Sequence, residues 1–180
     1  MPFTPYHFGP SGTIGLVLRR WLDVPMFLLA NVIIDIEVLA APGRFPHRHW
    51  HWHTLLVGGL VGAALGAVVH LAIPLRVFIA RLMNLARIRY EPRLAPMMLG
   101  GLTGAWMHVI IDAFYHYDVQ PFWPASTNPF YNFAGQHGLT QPCIRAICLA
   151  FWGVAIILYA AAVWSFYRNR SRSAPNAKGL

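Results

Sequence analysis

Four histidines crowd into seven residues at His47, His49, His51 and His53, directly before an apolar run that opens at Thr54. A second feature, His108 with Asp112, lies inside another apolar run. Residues four apart share one face of a helix. A neutral imidazole and a carboxylate converging there suit a hard or borderline divalent cation such as zinc. The chain has only six acidic residues, and Asp35, Glu37 and Asp112 all sit within apolar runs. Ionisable groups at membrane depth are costly and are read as functional by default.

Other residues extend the set. If the helix that follows begins early, His49 and His53 share a face, with His47 and His51 as the competing pair. Trp50 and Trp52 interleave with these histidines and mark a membrane interface. His7 is separated from Asp35 by a short arm, a turn and a second arm, so antiparallel arms return it to the level of Asp35 and Glu37. His116 and Asp118 follow Asp112 at the outer end of its run. A loop stiffened by Pro121 and Pro124 comes next and suits a lid or a lipid-contacting rim. The candidate metal ligands are therefore His7, Asp35, His49, His53, His108, Asp112 and His116. Glu37 and Asp118 are candidates for general base or for completing the ligand set. His70, toward the opposite end of its run, and His137, in AGQHG, are left out.

These residues need elements to hold them. The 180-residue chain is 57% hydrophobic and 11% charged, against about 25% charged in soluble domains, which points to a bilayer. Runs of about 20 apolar residues can cross one. Residues 54–73, 94–115 and 143–167 qualify; residues 24–42 form a slightly shorter fourth run. Residues 11–41 read as a helical hairpin whose first arm is short or re-entrant, with Gly9, Pro10 and Gly12 breaking the chain ahead of it. The expected fold is all-α: a multi-pass transmembrane bundle of about four spans plus a half-length N-terminal helix. It forms one domain over residues 1–167, followed by a disordered basic tail over 168–180.

Arginine sets the orientation. The connection 74–93 carries Arg76, Arg81, Arg87, Arg89 and Arg93, and the tail carries Arg168, Arg170, Arg172 and Lys178. Both belong on the cytoplasmic side, as do Arg19 and Arg20. Residues 116–142 have no Lys or Arg. Counting spans back puts them on the outer face with the histidine-rich loop. The net charge of +8 is explained by anionic lipid headgroups and topology, so membrane lipids rather than nucleic acid are the expected partners. Cys143 and Cys148 lack the spacing of a zinc or redox pair. The N-terminus has no basic segment and cleavage site of the kind that marks a removable signal peptide.

The order His7, Asp35-Ile36-Glu37, His53-Thr54, His108 to Asp112 and Phe122-Trp123-Pro124 resembles the LexA-binding, inner-membrane-associated family of metal-dependent hydrolases. The resemblance spans the first 130 residues or so. That family is distantly similar to zinc-dependent phospholipase C and the P1-type nucleases, helical proteins whose clustered His and Asp hold zinc. The chain departs from the pattern in two places. It reads His49-Trp50-His51-Trp52-His53-Thr54 where the family often has a glycine, and Val38 follows Glu37 where the family often has a histidine.

The resemblance implies a bacterial inner-membrane hydrolase with one or two divalent ions, zinc or manganese. It would act through metal-activated water on a phosphoester of a lipid or lipid-linked substrate. Two other classes use similar residues. A haem- or metal-binding membrane protein would ligate through histidines on different helices, but leaves Asp35, Glu37 and Asp112 without a role. A metal- or proton-coupled transporter would use them as relays, against the small number of spans and the absence of a repeat.

Overall fold

The computed structural model describes residues 5–40, 49, 51–88 and 90–173, and regular structure among them is entirely helical. The order is α1 (Pro5–Val17), α2 (Val24–Ala40), a 3-10 turn (His51–His53), α3 (Leu55–Leu71), α4 (Ile73–Leu85), α5 (Leu94–Tyr115), α6 (Pro129–Gln136) and α7 (Gln141–Ser173). His47, Trp50 and residues 174–180 lie outside the described residues.

Glycine brings the central helices together. Gly62 of α3 and Gly101 of α5 face each other so closely that a Cβ on either would run into the other's carbonyl. Gly66 lies against the Met97 carbonyl in the same way, and Gly104 of α5 against Phe27 of α2. Small residues at such crossings let backbones touch where lipid supplies no hydrophobic drive. The antiparallel α3–α5 pair, with α2 beside α5, forms the core, where Met26, Ala30, Ile34, Met97 and Ala105 are fully buried.

α1 runs through Gly9 and Pro10, where the sequence suggested a break. Pro10 forfeits one backbone hydrogen bond. Packing on α7 compensates: Gly9 abuts the Cys148 carbonyl, Thr13 Oγ1 donates to the Phe151 carbonyl at 2.8 Å and Trp152 Nε1 to that of Pro5 at 2.8 Å. Ser11 Oγ donates to Asn31 Oδ1 at 3.1 Å, tying α1 to α2.

α5 and the Gln141–Arg168 part of α7 are each long and apolar enough to cross a bilayer. α3 and α4 qualify only together, and the chain bends by 94° between them. Two or three spans are thus supported by length and composition. Three other features depart from the sequence expectation. Residues 73–85, read as a connection, form α4, with Pro74 in its first turn. The 116–142 loop contains α6, capped by Asn128 Oδ1 accepting from the Tyr131 amide at 3.1 Å. α7 continues through Arg168 to Ser173, past the expected start of the tail.

The helix directions give the bundle two unlike ends. α2 and α5 finish, and α1 and α3 begin, at the end that carries His7, Asp35, His53 and Asp112. Arg19, Arg20, Arg76, Arg81, Arg87 and Arg93 gather at the other end, where the Asp23 amide donates to the Pro96 carbonyl at 3.0 Å.

The Gly62–Gly101 crossing predicts that Gly62→Leu abolishes a monodisperse folded species in detergent, because the side chain must displace α5 backbone. At Gly153 a Cβ meets nothing within 4 Å. Gly153→Ala is therefore expected to leave the unfolding temperature unchanged or raise it, by up to about 1 kcal/mol of helix propensity. Size-exclusion profiles and thermal unfolding of both variants check this.

Candidate metal centre

The site is built where four helix ends meet. α5 delivers His108 and Asp112 from successive turns, both buried. Their i, i+4 spacing does what the sequence suggested: His108 Nε2 lies 3.3 Å from Asp112 Oδ2. α2 supplies Asp35, whose Oδ1 is 3.4 Å from His108 Nε2. His53 comes from the 3-10 turn just before α3. Thr54 fixes that junction, its Oγ1 donating to the His51 carbonyl at 2.8 Å and accepting from the Val57 amide at 3.1 Å. His53 Nε2 then stands 3.7 Å from Asp112 Oδ2 and 3.9 Å from Asp35 Oδ1.

Asp35, His53, His108 and Asp112 thus form a set whose ligand atoms lie within 4.8 Å of one another. Metal–ligand bonds of about 2.0–2.2 Å in a tetrahedral site put ligand atoms roughly 3.4 Å apart. The four distances above bracket that value. A second group, His49, Asp112 and His116, meets the same criterion, so the two groups share Asp112. Both His49 and His116 rings lie close, with centroids 4.4 Å apart.

Carboxylates behind two of the histidines determine which ring nitrogen faces inward. A carboxylate can only accept, so the nitrogen facing it carries the proton. His53 Nδ1 donates to Glu37 Oε2 at 2.9 Å, and Glu37 also accepts from the Trp52 amide at 3.0 and 3.1 Å. His49 Nδ1 donates to both Asp118 oxygens at 3.1 Å, and its backbone amide to Oδ2 at 3.3 Å. In the neutral rings Nε2 is left as a lone pair aimed into the cluster. Such carboxylate–histidine pairs are a regular outer layer of metal sites. Asp35 and Glu37 divide the work because residues two apart on a helix do not face the same way.

His7, expected as a ligand, belongs to neither group among the described residues. Its Nε2 donates to Asp112 Oδ1 at 3.0 Å, and its ring stacks on His108 at 4.4 Å. It holds the shared carboxylate from the other side. His51 is exposed and turns away, edge-on to Trp123 at 5.4 Å. His70 and His137 lie elsewhere, as expected. The sequence missed the pairing of Glu37 and Asp118 with imidazoles; the two-residue offset of Asp35 and Glu37 was the one available signal.

Among the described residues, several buried nitrogens have no hydrogen-bond partner: Nε2 of His53, His108 and His116 among them. Orphaned buried polar atoms are costly. Three of them converging on two carboxylates form a donor set that a divalent cation satisfies. Outside the spans, electrostatics treat two of these rings differently. Burial pushes the His116 imidazole down to about 4, against the pull of Asp112 and Asp118, so this ring is neutral at pH 7. Burial also works against a charge on His53, but Asp35 and Glu37 outweigh it and hold that imidazole above its ordinary value.

No family model, curated protein or solved structure matches the chain.

A ligand must shed its proton to bind a cation. With the His53 value raised, protons compete for its Nε2 more strongly than for an ordinary imidazole, while His116 stays neutral down to about 4. Zinc affinity is therefore expected to fall as pH drops through the histidine range. Calorimetric titration across this range checks it, with a flat profile as the contrary result.

Proposed function

We propose that this chain is a multi-pass inner-membrane hydrolase that uses one or two divalent ions, zinc or manganese, to cleave a phosphoester of a lipid or lipid-linked substrate. The observation that carries the reading is the buried Asp112, shared by two His/carboxylate groups. The resemblance to the LexA-binding, inner-membrane-associated hydrolases supports the reaction class. The depth of the cluster at one end of an apolar bundle supports a lipid substrate. The arginine-rich end would face the cytoplasm and the histidine-rich end the outer side. The full bundle would contribute about four spans plus the shorter α1.

When bound, a divalent cation supplies Lewis acidity and an acidified water. Asp35, His53, His108 and Asp112 would hold one ion, and His49, His116 and the shared Asp112 a second. In this reading Glu37 and Asp118 are positioning residues. Each keeps an imidazole in the tautomer that leaves Nε2 as a lone pair, in place of the general-base role suggested by sequence. His7 orients Asp112 by donating to Oδ1. The burial of His7, His53, His108 and Asp112 excludes bulk water from the ligand atoms.

Protein reconstituted in nanodiscs with zinc or manganese is expected to cleave at least one member of a panel of phosphoester lipids. The double variant His108→Ala, Asp112→Ala should be inactive. Glu37→Gln should weaken metal affinity about 10- to 100-fold, with turnover recovering at saturating metal. No cleavage by metal-loaded protein, or cleavage untouched by the double variant, would contradict the proposal.

A further inference from the structure

The start of α7 brings an arginine to the metal-centre end of the bundle. Gly9 abuts the Cys148 carbonyl and Trp152 Nε1 donates to the Pro5 carbonyl, which sets this start beside that of α1, where His7 lies. Residues 94–167 contain no Lys or Arg except Arg145. It is the one Lys or Arg at this end among the described residues; Arg44 and Arg48 lie outside them.

Arg145 donates from Nε to Tyr115 Oη at 2.9 Å, and from Nη2 to the same oxygen. Its Cζ stands 5.6 Å from the Tyr115 ring centroid. Tyr115 is only 3% exposed. It follows Asp112 by three residues and His108 by seven, so all three share one face of α5. Its ring lies 5.0 Å from that of His116, a member of the second cation group. A single phenol ring therefore separates the guanidinium from that group.

This pair offers donors and lacks an acceptor. Arginine carries five N–H donors and no acceptor, and tyrosine one O–H. Two of the N–H groups meet Tyr115 Oη, whose own proton has no acceptor among the described residues. The six acids of the chain are engaged elsewhere. Asp23 accepts from the Met26 amide at the start of α2. Asp35 and Asp112 belong to the cluster, Glu37 and Asp118 accept from His53 and His49, and Glu91 lies at the opposite end, between α4 and α5. Arg145 is exposed, so an anion can reach it. Long helical side chains lean toward the N-terminus of their helix, and that end of the macrodipole favours negative charge. A planar guanidinium beside a phenol O–H matches the oxygens of a phosphate group.

We infer that Arg145 and Tyr115 form an anion site that holds the phosphate of the substrate beside the His49, Asp112 and His116 group. The identity of the occupant rests on the hydrolase reading; the donors themselves suit phosphate from a lipid headgroup or from solution.

Native mass spectrometry of the full chain in detergent tests this, with chelator present so that no cation holds the probe. The probes are dioleoyl phosphatidic acid and dioleoylglycerol. The wild type is expected to favour phosphatidic acid about tenfold, the scale of one charge-assisted contact. Arg145→Gln should abolish the preference, Arg145→Lys should restore part of it, and Tyr115→Phe should reduce it while keeping the ring. Inorganic phosphate at millimolar concentration is the competitor. Displacement of the lipid would assign the site to the phosphate group alone, and persistence to a headgroup held with its chains; both support the site. No preference in the wild type, or one that survives Arg145→Gln, would overturn the inference. With metal restored, kcat/KM for any phosphoester lipid that the wild type cleaves should fall about tenfold in Arg145→Gln. An unchanged value would overturn the inference and leave the hydrolase reading standing. A preference carried by Arg145 in metal-loaded protein that cleaves nothing would keep the anion site and remove the hydrolase reading.

Discussion

Asp112 brings a carboxylate into the buried end of a long apolar helix, where only 2% of the residue is exposed. A charge in that position costs several kcal/mol unless something balances it. Its surroundings are arranged accordingly: His7 donates to one oxygen, and His49, His53 and His108 approach the other within 3.8 Å. These four histidines come from three separate parts of the chain. The meeting of α1, the His49–His53 segment and α5 at one end is therefore inseparable from satisfying this one group.

The glycine crossings serve that convergence. Close approach of α3 and α5 at Gly62 and Gly101 brings the beginning of α3 beside the end of α5. Trp106 Nε1 then donates to the Leu55 carbonyl at 2.7 Å, and the Leu55 amide to the Pro121 carbonyl at 2.9 Å. Asn128 Nδ2 closes the end of α5 by donating to the carbonyls of Ala113 and His116 at 3.0 and 2.9 Å. The aromatic loop is thereby tied to α3 and α5. Packing far from the site thus sets the spacing of its ligand atoms.

Much of this was legible in the sequence where a signal was local. The span 94–115 matches α5, because an apolar run begins just after Arg93 and ends just before His116. The His108–Asp112 pair declared its common face through helical periodicity. α4 was hidden because Arg76 and Arg81 resemble the charges of a connecting loop, although they punctuate an apolar helical pattern. α6 was hidden in a Pro-rich aromatic stretch. Membership of the cluster could be read from residue type, but roles could not. Whether Glu37 or Asp35 faces the centre, and that His7 supports Asp112, depends on contacts 15 to 105 residues apart in sequence.

The central claim is that Asp112 is common to two cation sites. Elemental analysis of protein purified in detergent without a metal-affinity tag, and reconstituted with zinc or manganese, tests it most directly. Asp112→Ala is predicted to lose essentially all bound metal, whereas His116→Ala should lose only part and keep the ion held by Asp35, His53 and His108. Metal retained at the wild-type level in well-folded Asp112→Ala, or absent from the reconstituted wild type, would contradict the account.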